Sequence, residues 1–291
     1  MLAGPEASTQ DKGSSPELGG SVRADYTIDQ NWNDYSAEDH AIWRALFDRQ
    51  AKLLPGRVVP EFLEGLDFLA VASDGIPDFR RLNELLAKAT GWTIVAVPGL
   101  VPDAVFFDHL ANRRFPATRW IRSREQLDYL EEPDLFHDVF GHVPLLANQI
   151  FADYMQAYGR GGLRASGKGA LQYLARLYWY SVEFGLIRTD EGLRIYGAGI
   201  ASSKSESLFA LESVSPNRIV FDLERVMSTR YRIDDFQECY FVINSFRHLF
   251  ESTAQDFAPI YRRLDGCPDY DPGVVLECDE VLTRGNGSYH R

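Results

Sequence analysis

The chain has 291 residues, of which 45% are hydrophobic and 13% aromatic, enough to form the core of one large domain or two small ones. Its 30 Lys and Arg against 42 Asp and Glu give a net charge of −12, which argues against nucleic-acid and anionic-membrane partners because both select basic surfaces. Cys239, Cys267 and Cys278 cannot all pair with one another and lack metal-ligand spacing, so we expect a reducing compartment, the cytoplasm.

The first segment, residues 1–22, is rich in Gly, Pro, Ser and charge and has no apolar stretch, so we expect a disordered leader and not a signal peptide. Capping residues followed by apolar residues at helical spacing predict three helices, which begin near Ser36, Pro60 and Pro77. The short β-branched stretch 92–97 predicts a strand.

Later segments continue this mixture of helices and short strands. Asn148 is expected to cap a helix, the five glycines of 159–169 predict a loop or hinge, and Asp-Glu-Gly at 190–192 predicts a hairpin. The pattern predicts a mainly α fold with small β-sheets and hairpins (α+β), in one domain over 23–264. Residues 265–291 are expected to form an irregular C-terminal tail.

The segment Glu132–Pro144 (EPDLFHDVFGHVP) contains two of the six histidines, His137 and His142. On an unbroken α-helix a five-residue offset would place the two rings about 140° apart, at about 100° per residue. We therefore expect the helix to stop at Gly141, where Pro144 prevents its continuation, and the chain to bend His142 back towards His137. Two imidazoles brought together in this way are a candidate metal pair.

Glu183 is the best candidate for a third ligand, because it lies in the strongly apolar segment 171–186, where a carboxylate needs a cation or a metal. Two histidines and one carboxylate form the ligand set of mononuclear non-haem iron(II) oxygenases. Some zinc hydrolases use the same ligand types. The residue types alone also fit core histidines and a buried Glu–Arg pair.

Three ordered motifs, at 132–144, 178–185 (YWYSVEFG) and 196–203 (YGAGIASS), together with the weaker match Asp-Phe-Gln at 235–237, give the chain a family resemblance. It resembles the tetrahydropterin-dependent aromatic amino acid hydroxylases, and among them the bacterial members that act on phenylalanine. The resemblance covers about residues 25–260. It implies conversion of L-phenylalanine to L-tyrosine with O2, a tetrahydropterin (tetrahydrobiopterin or similar) and one iron(II).

The resemblance also implies roles for individual residues. His137, His142 and Glu183 match the iron ligands, and Arg122 matches the arginine that binds the substrate carboxylate, which suits the planar fork of a guanidinium. The residues that match the substrate pocket are Trp179, Phe184, Gly199 and Ser202. The hydroxyl of Ser202 is further expected to orient an iron-bound histidine, as such ligands usually require.

For the pterin, the resemblance implies that Phe106 stacks on the cofactor ring and that Val101 and Asp103 contribute backbone contacts. Asp138 matches an acidic residue that hydrogen-bonds the pterin through water. Pro116 stands where animal members of the family have a polar pterin neighbour, so the detailed pterin contacts are expected to differ here.

Two further matches concern the iron and the choice of substrate. Tyr178 matches a tyrosine near the iron, beyond its direct ligands. Ile233 falls near a pocket position at which tyrosine hydroxylases have a charged residue, so an apolar residue there, with Trp179 retained, favours phenylalanine. The alternatives are a tyrosine or tryptophan hydroxylase of the same family, a zinc hydrolase with Asp138 as its base, and a non-catalytic protein that binds an aromatic amino acid.

The sequence finally predicts a monomer without cooperative activation by its substrate. It shows neither the regulatory domain nor the terminal oligomerisation helix of the larger members of the family. The net charge of −12 adds a repulsion between copies at low salt.

Overall fold

The computed structural model describes residues 21–128, 130 and 132–289, so the predicted leader lies outside the described residues apart from its last two positions. The α-helices are α1 (Ala37–Leu53), α2 (Pro60–Phe68), α3 (Phe79–Ala89), α4 (Asp103–Ala111), α5 (Gln149–Ala165), α6 (Leu171–Tyr178), α7 (Ala198–Ala201), α8 (Lys204–Glu212), α9 (Leu223–Met227), α10 (Phe246–Thr253) and α11 (Ala258–Leu264). The strands are β1 (Thr93–Val97), β2 (Arg114–Thr118), β3 (Leu186–Thr189), β4 (Gly192–Ile195), β5 (Asn217–Val220), β6 (Cys239–Ile243) and β7 (Val281–Thr283).

The starts of the first three helices follow from their capping residues. Before α1 the Ser36 side chain accepts from the Asp39 N–H, and the Asp39 carboxylate accepts from the Ser36 N–H, which forms a capping box. Pro60 is the first residue of α2. An N–H at this position would have no acceptor within the helix, so proline loses no helical hydrogen bond there. The third helix begins two residues after Pro77, because the Asp78 side chain caps it.

The loop or hinge predicted at the five glycines is wrong for the first three of them, which lie inside α5. A Cβ at Gly159 would lie 2.4 Å from the backbone N of Ala111, and one at Gly162 would lie 1.8 Å from Cδ1 of Phe107. The glycines therefore let α5 and α4 pack in direct contact. This packing outweighs a helix-propensity cost of about 1 kcal/mol for each glycine.

The strands form two sheets. In the smaller one β1 and β2 pair in parallel, and in the larger one the order is β4-β3-β6-β5-β7. The predicted hairpin is the antiparallel pair of β3 and β4. The central strand β6 lies parallel to both neighbours and all its residues are buried. We did not predict β6, because a strand buried on both faces shows no alternation of apolar and polar residues.

The tail differs from the irregular segment predicted for 265–291, since Val281–Thr283 forms β7 at the edge of the larger sheet, antiparallel to β5. A buried ion pair helps to hold the tail in place, with 2.9 Å between Arg225 Nε and Asp279 Oδ1. At least this carboxylate of the tail is therefore a partner inside the fold.

The larger and smaller sheets and the helices share one hydrophobic core, which confirms the predicted class of a mainly α fold with small sheets. No helix in the described part of the chain combines the length and apolar character needed to cross a membrane. Near the centre two π-helical turns, His137–His142 and Trp179–Glu183, pack against α7. The first of them approaches α7 so closely that a Cβ at Gly141 would lie 2.9 Å from the carbonyl oxygen of Ala198.

Candidate active site

Both histidines lie on one π-helical turn, His137–His142, which corrects the prediction of a helix that stops at Gly141 with His142 outside it. In a π-helix each N–H bonds to the carbonyl five residues earlier, so a residue and the fifth one after it are close to one turn apart on the same face. The two Nε2 atoms are 3.1 Å apart. The wider turn, and not a break in the helix, therefore brings the two imidazoles together.

Glu183 ends the second π-helical turn, in which the Phe184 N–H donates to the Trp179 carbonyl over 2.8 Å. Its carboxylate faces the histidine pair: Oε2 lies 3.5 Å from His137 Nε2, and Oε1 lies 3.3 Å from His142 Nε2. One donor atom from each of the three residues lies within 4.8 Å of the others. The structure thus brings the three expected ligands to one point.

The surroundings of Glu183 test whether a metal fits there. Its side chain is 1% exposed, and neither carboxylate oxygen has a hydrogen-bond partner among the described residues. A buried carboxylate without a partner is costly, and a divalent cation held by Glu183 and the two imidazoles would remove this cost. Two histidines, one carboxylate and open positions suit iron(II).

His137, His142 and Glu183 together form the metal cluster, a name that refers here to the three side chains. A hydroxyl next to them fixes the orientation of one imidazole. Ser202 Oγ donates to the Ala198 carbonyl over 2.8 Å, and its lone pair accepts from Nδ1–H of His137 over 3.0 Å. With the proton on Nδ1, the Nε2 lone pair of His137 points to the position between the three donors. This geometry matches the orienting role expected for Ser202.

The charges of the cluster follow from burial and from the contacts within it. Burial lowers the pKa of His137, which favours the neutral imidazole that a metal requires. Burial also acts to raise the pKa of Glu183, but the adjacent His142 and His137 rings outweigh it when they are protonated, and hold that pKa at about 2. The carboxylate is therefore ionised and available to a cation.

Arg122 is buried and its fork is already engaged by Asp134. Nε and Nη2 of Arg122 donate to the two carboxylate oxygens of Asp134 over 2.8 and 2.9 Å, and Asp134 also accepts from the His137 N–H over 3.0 Å. Among the described residues Nη1 of Arg122 has no hydrogen-bond acceptor, so Asp134 binds only one edge of the guanidinium. Asp134 was not predicted as a site residue, although a buried acid three residues before His137 was the available signal.

The residues expected to form the substrate pocket pack together beside the metal cluster. The Trp179 ring packs against Phe184 with 4.6 Å between centroids, and stacks on Tyr231 with 4.5 Å between centroids and 17° between planes. A Cβ at Gly199 would lie 3.0 Å from Cζ of Phe184 and 3.2 Å from Oε2 of Glu183. Any side chain at position 199 would therefore have to displace Phe184 or Glu183, and glycine avoids this.

Ile233 does not line this pocket, which corrects the prediction for that residue. Its side chain is 75% exposed, and it is Tyr231, two residues earlier, that contacts Trp179. Both residues lie on an irregular segment, where the direction of a side chain cannot be inferred from its position in the chain. Gln237, at the end of the same segment, accepts a hydrogen bond from the Trp179 indole and was also not predicted.

On the side expected to bind the pterin, a series of rings leads to the metal cluster. The Phe106 ring lies edge-to-face with Tyr178, at 5.6 Å between centroids, and Tyr178 stacks with His142 at 6.2 Å. Val101 is buried just before α4, and Asp103 is the first residue of α4, where its backbone N–H is one of the free donors of a helix start. Burial raises the pKa of the Asp103 carboxyl.

Asp138 connects the first π-helical turn to the smaller sheet. Its Oδ2 accepts from the N–H of Thr118, the last residue of β2, over 2.7 Å. Pro116 is buried in the same strand and pairs in register with Val95 of β1. The carboxylate of Asp138 therefore lies next to His137 in the chain and at the end of the strand that contains Pro116.

Comparisons with known proteins agree with this arrangement. The family model described as "Biopterin-dependent aromatic amino acid hydroxylase" matches residues 23–272. A phenylalanine-4-hydroxylase of Ralstonia nicotianae is 63% identical over 267 residues, which cover 92% of this chain and 85% of that protein.

Two crystal structures of the phenylalanine hydroxylase of Chromobacterium violaceum have nearly the same fold. One, with bound iron(III) and oxidised 7,8-dihydrobiopterin, has a TM-score of 0.87 at 62% identity and covers 90% of this chain and 95% of that one. The other, with iron and phenylalanine bound, has a TM-score of 0.86 at 61% identity and covers 89% and 94%. With a family match over most of its length and these relatives, the chain belongs to the biopterin-dependent aromatic amino acid hydroxylases.

Proposed function

We propose that the protein hydroxylates L-phenylalanine to L-tyrosine with O2 and a tetrahydropterin, at one iron(II) held by His137, His142 and Glu183. The observation that carries this proposal is that the imidazoles of His137 and His142 converge on the carboxylate of Glu183. The two buried oxygens of this carboxylate have no other partner in the described part of the chain. The relatives with iron, dihydrobiopterin and phenylalanine bound support the same assignment. When bound, the iron supplies the activation of O2 together with the pterin.

The chain contributes binding, orientation and exclusion of water. Arg122 binds the substrate carboxylate through Nη1, while Asp134 holds the other edge of the guanidinium. Trp179 and Phe184 hold the phenyl ring, and Gly199 leaves room for it next to the carboxylate of Glu183. Positioning of this kind converts an encounter between three reactants into a reaction within one complex.

The pterin is held on the other side of the metal cluster in this proposal. Phe106 contributes an aromatic ring, which is 1% exposed in this structure. Val101 and Asp103 contribute backbone groups before and at the start of α4, and Asp138 contributes a carboxylate fixed by β2. Tyr178 lies between Phe106 and the ligand His142. Its ring thereby separates the pterin surface from the imidazole and maintains the distance between them.

The direct test is an assay of product formation with iron-loaded protein, a tetrahydropterin and O2, across phenylalanine, tyrosine and tryptophan. We expect tyrosine from phenylalanine at the highest kcat/KM. Absence of tyrosine from a protein that retains its iron would refute the proposal. Activity restored to the metal-free protein by Zn(II) but not by Fe(II) would instead indicate a hydrolase.

We further propose that the protein is a cytoplasmic monomer without cooperativity in phenylalanine. Cys239 is buried and Cys267 and Cys278 are exposed, and all three are unpaired, which is the form that thiols keep in a reducing compartment. A light-scattering mass near 33.0 kDa and a hyperbolic dependence of rate on phenylalanine are expected. A mass near twice this value, a sigmoidal rate curve, or recovery of the protein from another cell fraction would contradict this part.

A further inference from the structure

One buried side-chain amide, that of Gln237, connects the Trp179 ring to the segment that precedes β6. Gln237 is 2% exposed, and its Oε1 accepts from Nε1–H of Trp179 over 2.8 Å. Its Nε2 donates to the carbonyl oxygens of Arg232 and Asp235 over 3.0 and 3.4 Å. The indole N–H can only donate and the two carbonyls can only accept, so a single orientation of the amide satisfies all three contacts.

The hydrogen bond to Gln237 is the directional contact of the Trp179 ring. Stacking on Tyr231 and packing against Phe184 set the plane of the indole, but aromatic contacts tolerate sliding and rotation within that plane. A hydrogen bond weakens steeply when its angle closes, so the bond from Nε1 opposes such movement. Trp179 also begins the π-helical turn that ends at Glu183, so the indole and the metal ligand share one rigid element.

Gln237 is itself held by a buried polar cluster. Its backbone N–H lies 3.5 Å from Oε1 of Glu206 on α8, and the Tyr240 hydroxyl donates to the same oxygen. Glu206 and Tyr240 are both buried. Gln237 is thus held by Glu206 through its backbone, in addition to the side-chain hydrogen bonds with the irregular segment.

We propose that Gln237 is a positioning residue that sets the width of the aromatic pocket by fixing the indole of Trp179. In this role it admits a phenyl ring and disfavours the larger indole of a tryptophan substrate. The inference rests on the proposed function, which it deepens by assigning the choice of substrate to a residue that acts through Trp179. A role in stability alone would leave the choice of substrate unchanged.

The variant Gln237→Leu removes both ends of the amide at similar volume and without a charge. We expect the ratio of kcat/KM for phenylalanine over tryptophan to fall about three- to tenfold, the range given by loss of one buried hydrogen bond in a pocket that discriminates by shape. The tyrosine formed per pterin oxidised should fall as well. Gln237→Met gives the same comparison should Gln237→Leu not fold.

Gln156→Leu is the matched control. Its amide also joins two segments, since Oε1 accepts from Arg113 Nε over 3.0 Å and Nε2 donates to the Ala111 carbonyl over 2.9 Å. Within the described part of the chain its amide forms no hydrogen bond with Trp179 or with the segment before β6. This variant should also lose stability, measured by chemical unfolding, but less than Gln237→Leu because Gln156 is half-buried, and it should keep the wild-type substrate ratio.

A double-mutant cycle separates action through Trp179 from any other effect. In the Trp179→Phe background the side chain at position 179 has no indole N–H to donate to Gln237. Gln237→Leu should therefore change the substrate ratio no further in that background. Equal effects of Gln237→Leu in both backgrounds would overturn the inference, and so would a wild-type ratio in Gln237→Leu. Calorimetric affinities for phenylalanine and tryptophan measure the discrimination in binding without turnover. A wild-type affinity ratio in Gln237→Leu would overturn the inference even if the wild-type protein made no tyrosine, a result that would separately refute the proposed function.

Discussion

Glu183 and Asp134 are two buried carboxylates on either side of His137, with opposite surroundings. Asp134 accepts hydrogen bonds from the side chain and backbone N–H of Arg122 and from the His137 N–H. Glu183 has no hydrogen-bond partner among the described residues, and its oxygens face the imidazoles of His137 and His142. The two carboxylates are thus equally buried and differ in the hydrogen-bond donors around them. The chain satisfies the carboxylate of Asp134, whereas that of Glu183 requires a metal.

The comparison predicts different losses when each charge is removed. The largest expected effect is that of Glu183→Gln, which keeps the shape of the side chain and removes the anionic ligand. Activity should fall at least about 100-fold, and bound iron, measured by elemental analysis, should fall with it. His137→Ala and His142→Ala should behave in the same way. The matched control Glu206→Gln, also a buried carboxyl, should keep its iron.

Metal removal sharpens this prediction. A ligand that binds only the folded state stabilises it, so a chelator should lower the unfolding midpoint of the wild-type protein. The midpoint of Glu183→Gln should not respond to the chelator. Normal iron content in Glu183→Gln would show that this carboxylate is not a ligand.

Asp134→Asn is expected to have the next largest effect. An Asn side chain cannot accept two hydrogen bonds on two oxygens, so the buried guanidinium of Arg122 would lose half of its paired contact, at a cost of about 3 kcal/mol in the free energy of unfolding. The KM for phenylalanine should rise about tenfold, as it should in Arg122→Lys, because the fork is no longer held or no longer present. Iron content should stay near the wild-type value.

The pair of the half-buried Arg49 and the exposed Asp128 supplies the control for Asp134→Asn. The Asp128 side chain is 83% exposed, and its bond to Arg49 spans 2.7 Å. Asp128→Asn should change the unfolding free energy by less than about 1 kcal/mol and leave KM as in the wild type. An unchanged KM in Asp134→Asn would mean that Asp134 does not position Arg122 for substrate.

A smaller effect is expected from Gly199→Ala, which tests the space between the aromatic pocket and Glu183. The new methyl would meet the Glu183 carbonyl oxygen at 3.1 Å and the Phe184 ring at 3.0 Å, and the backbone atom cannot move aside cheaply. We expect kcat/KM for phenylalanine to fall by up to about tenfold, measured by steady-state kinetics. In Gly161→Ala, where the methyl meets only Arg164 Nη2 at 4.0 Å, kcat/KM should not change.

The sequence was sufficient to predict which three residues come together, but not the geometry that brings them together. The histidine spacing and the apolar surroundings of Glu183 predicted which residues meet. The expectation of a helix break at Gly141 assumed α-helical turns. His137–His142 is instead a π-helical turn packed against α7, and periodicity reveals neither the turn nor the contact. In the same way, Gly162 was taken as a loop residue because the close approach of Phe107 is a tertiary contact.

The residues missed in the site share a physical cause. Asp134, Tyr231 and Gln237 act through other side chains, so neither ligand chemistry nor periodicity points to them. Ile233 was assigned to the pocket from its place in the chain, yet it is exposed. On an irregular segment the facing of each residue depends on backbone angles that no local pattern encodes.

Glu206 adds a third kind of buried carboxyl to the comparison, because burial raises its pKa to about 7 although the Tyr240 hydroxyl donates to it. In the unfolded chain this group ionises near its ordinary value of 4.5, so between about pH 4.5 and 7 the unfolded state binds fewer protons than the folded state. The free energy of unfolding should therefore decrease as pH rises through this window and then level off. Glu206→Gln removes this contribution, so its stability relative to the wild type should increase by about 1–3 kcal/mol between pH 4.5 and 8.

Urea unfolding of the metal-loaded proteins at several pH values measures this difference. Glu212→Gln, at the exposed end of the same helix α8, is the control and should follow the wild-type profile. A difference between Glu206→Gln and wild type that is constant with pH would show that Glu206 is ionised throughout. Glu206 would then belong with Asp134, as a carboxylate that the chain's own donors satisfy, and the hydrogen bond from Tyr240 would outweigh the cost of burial.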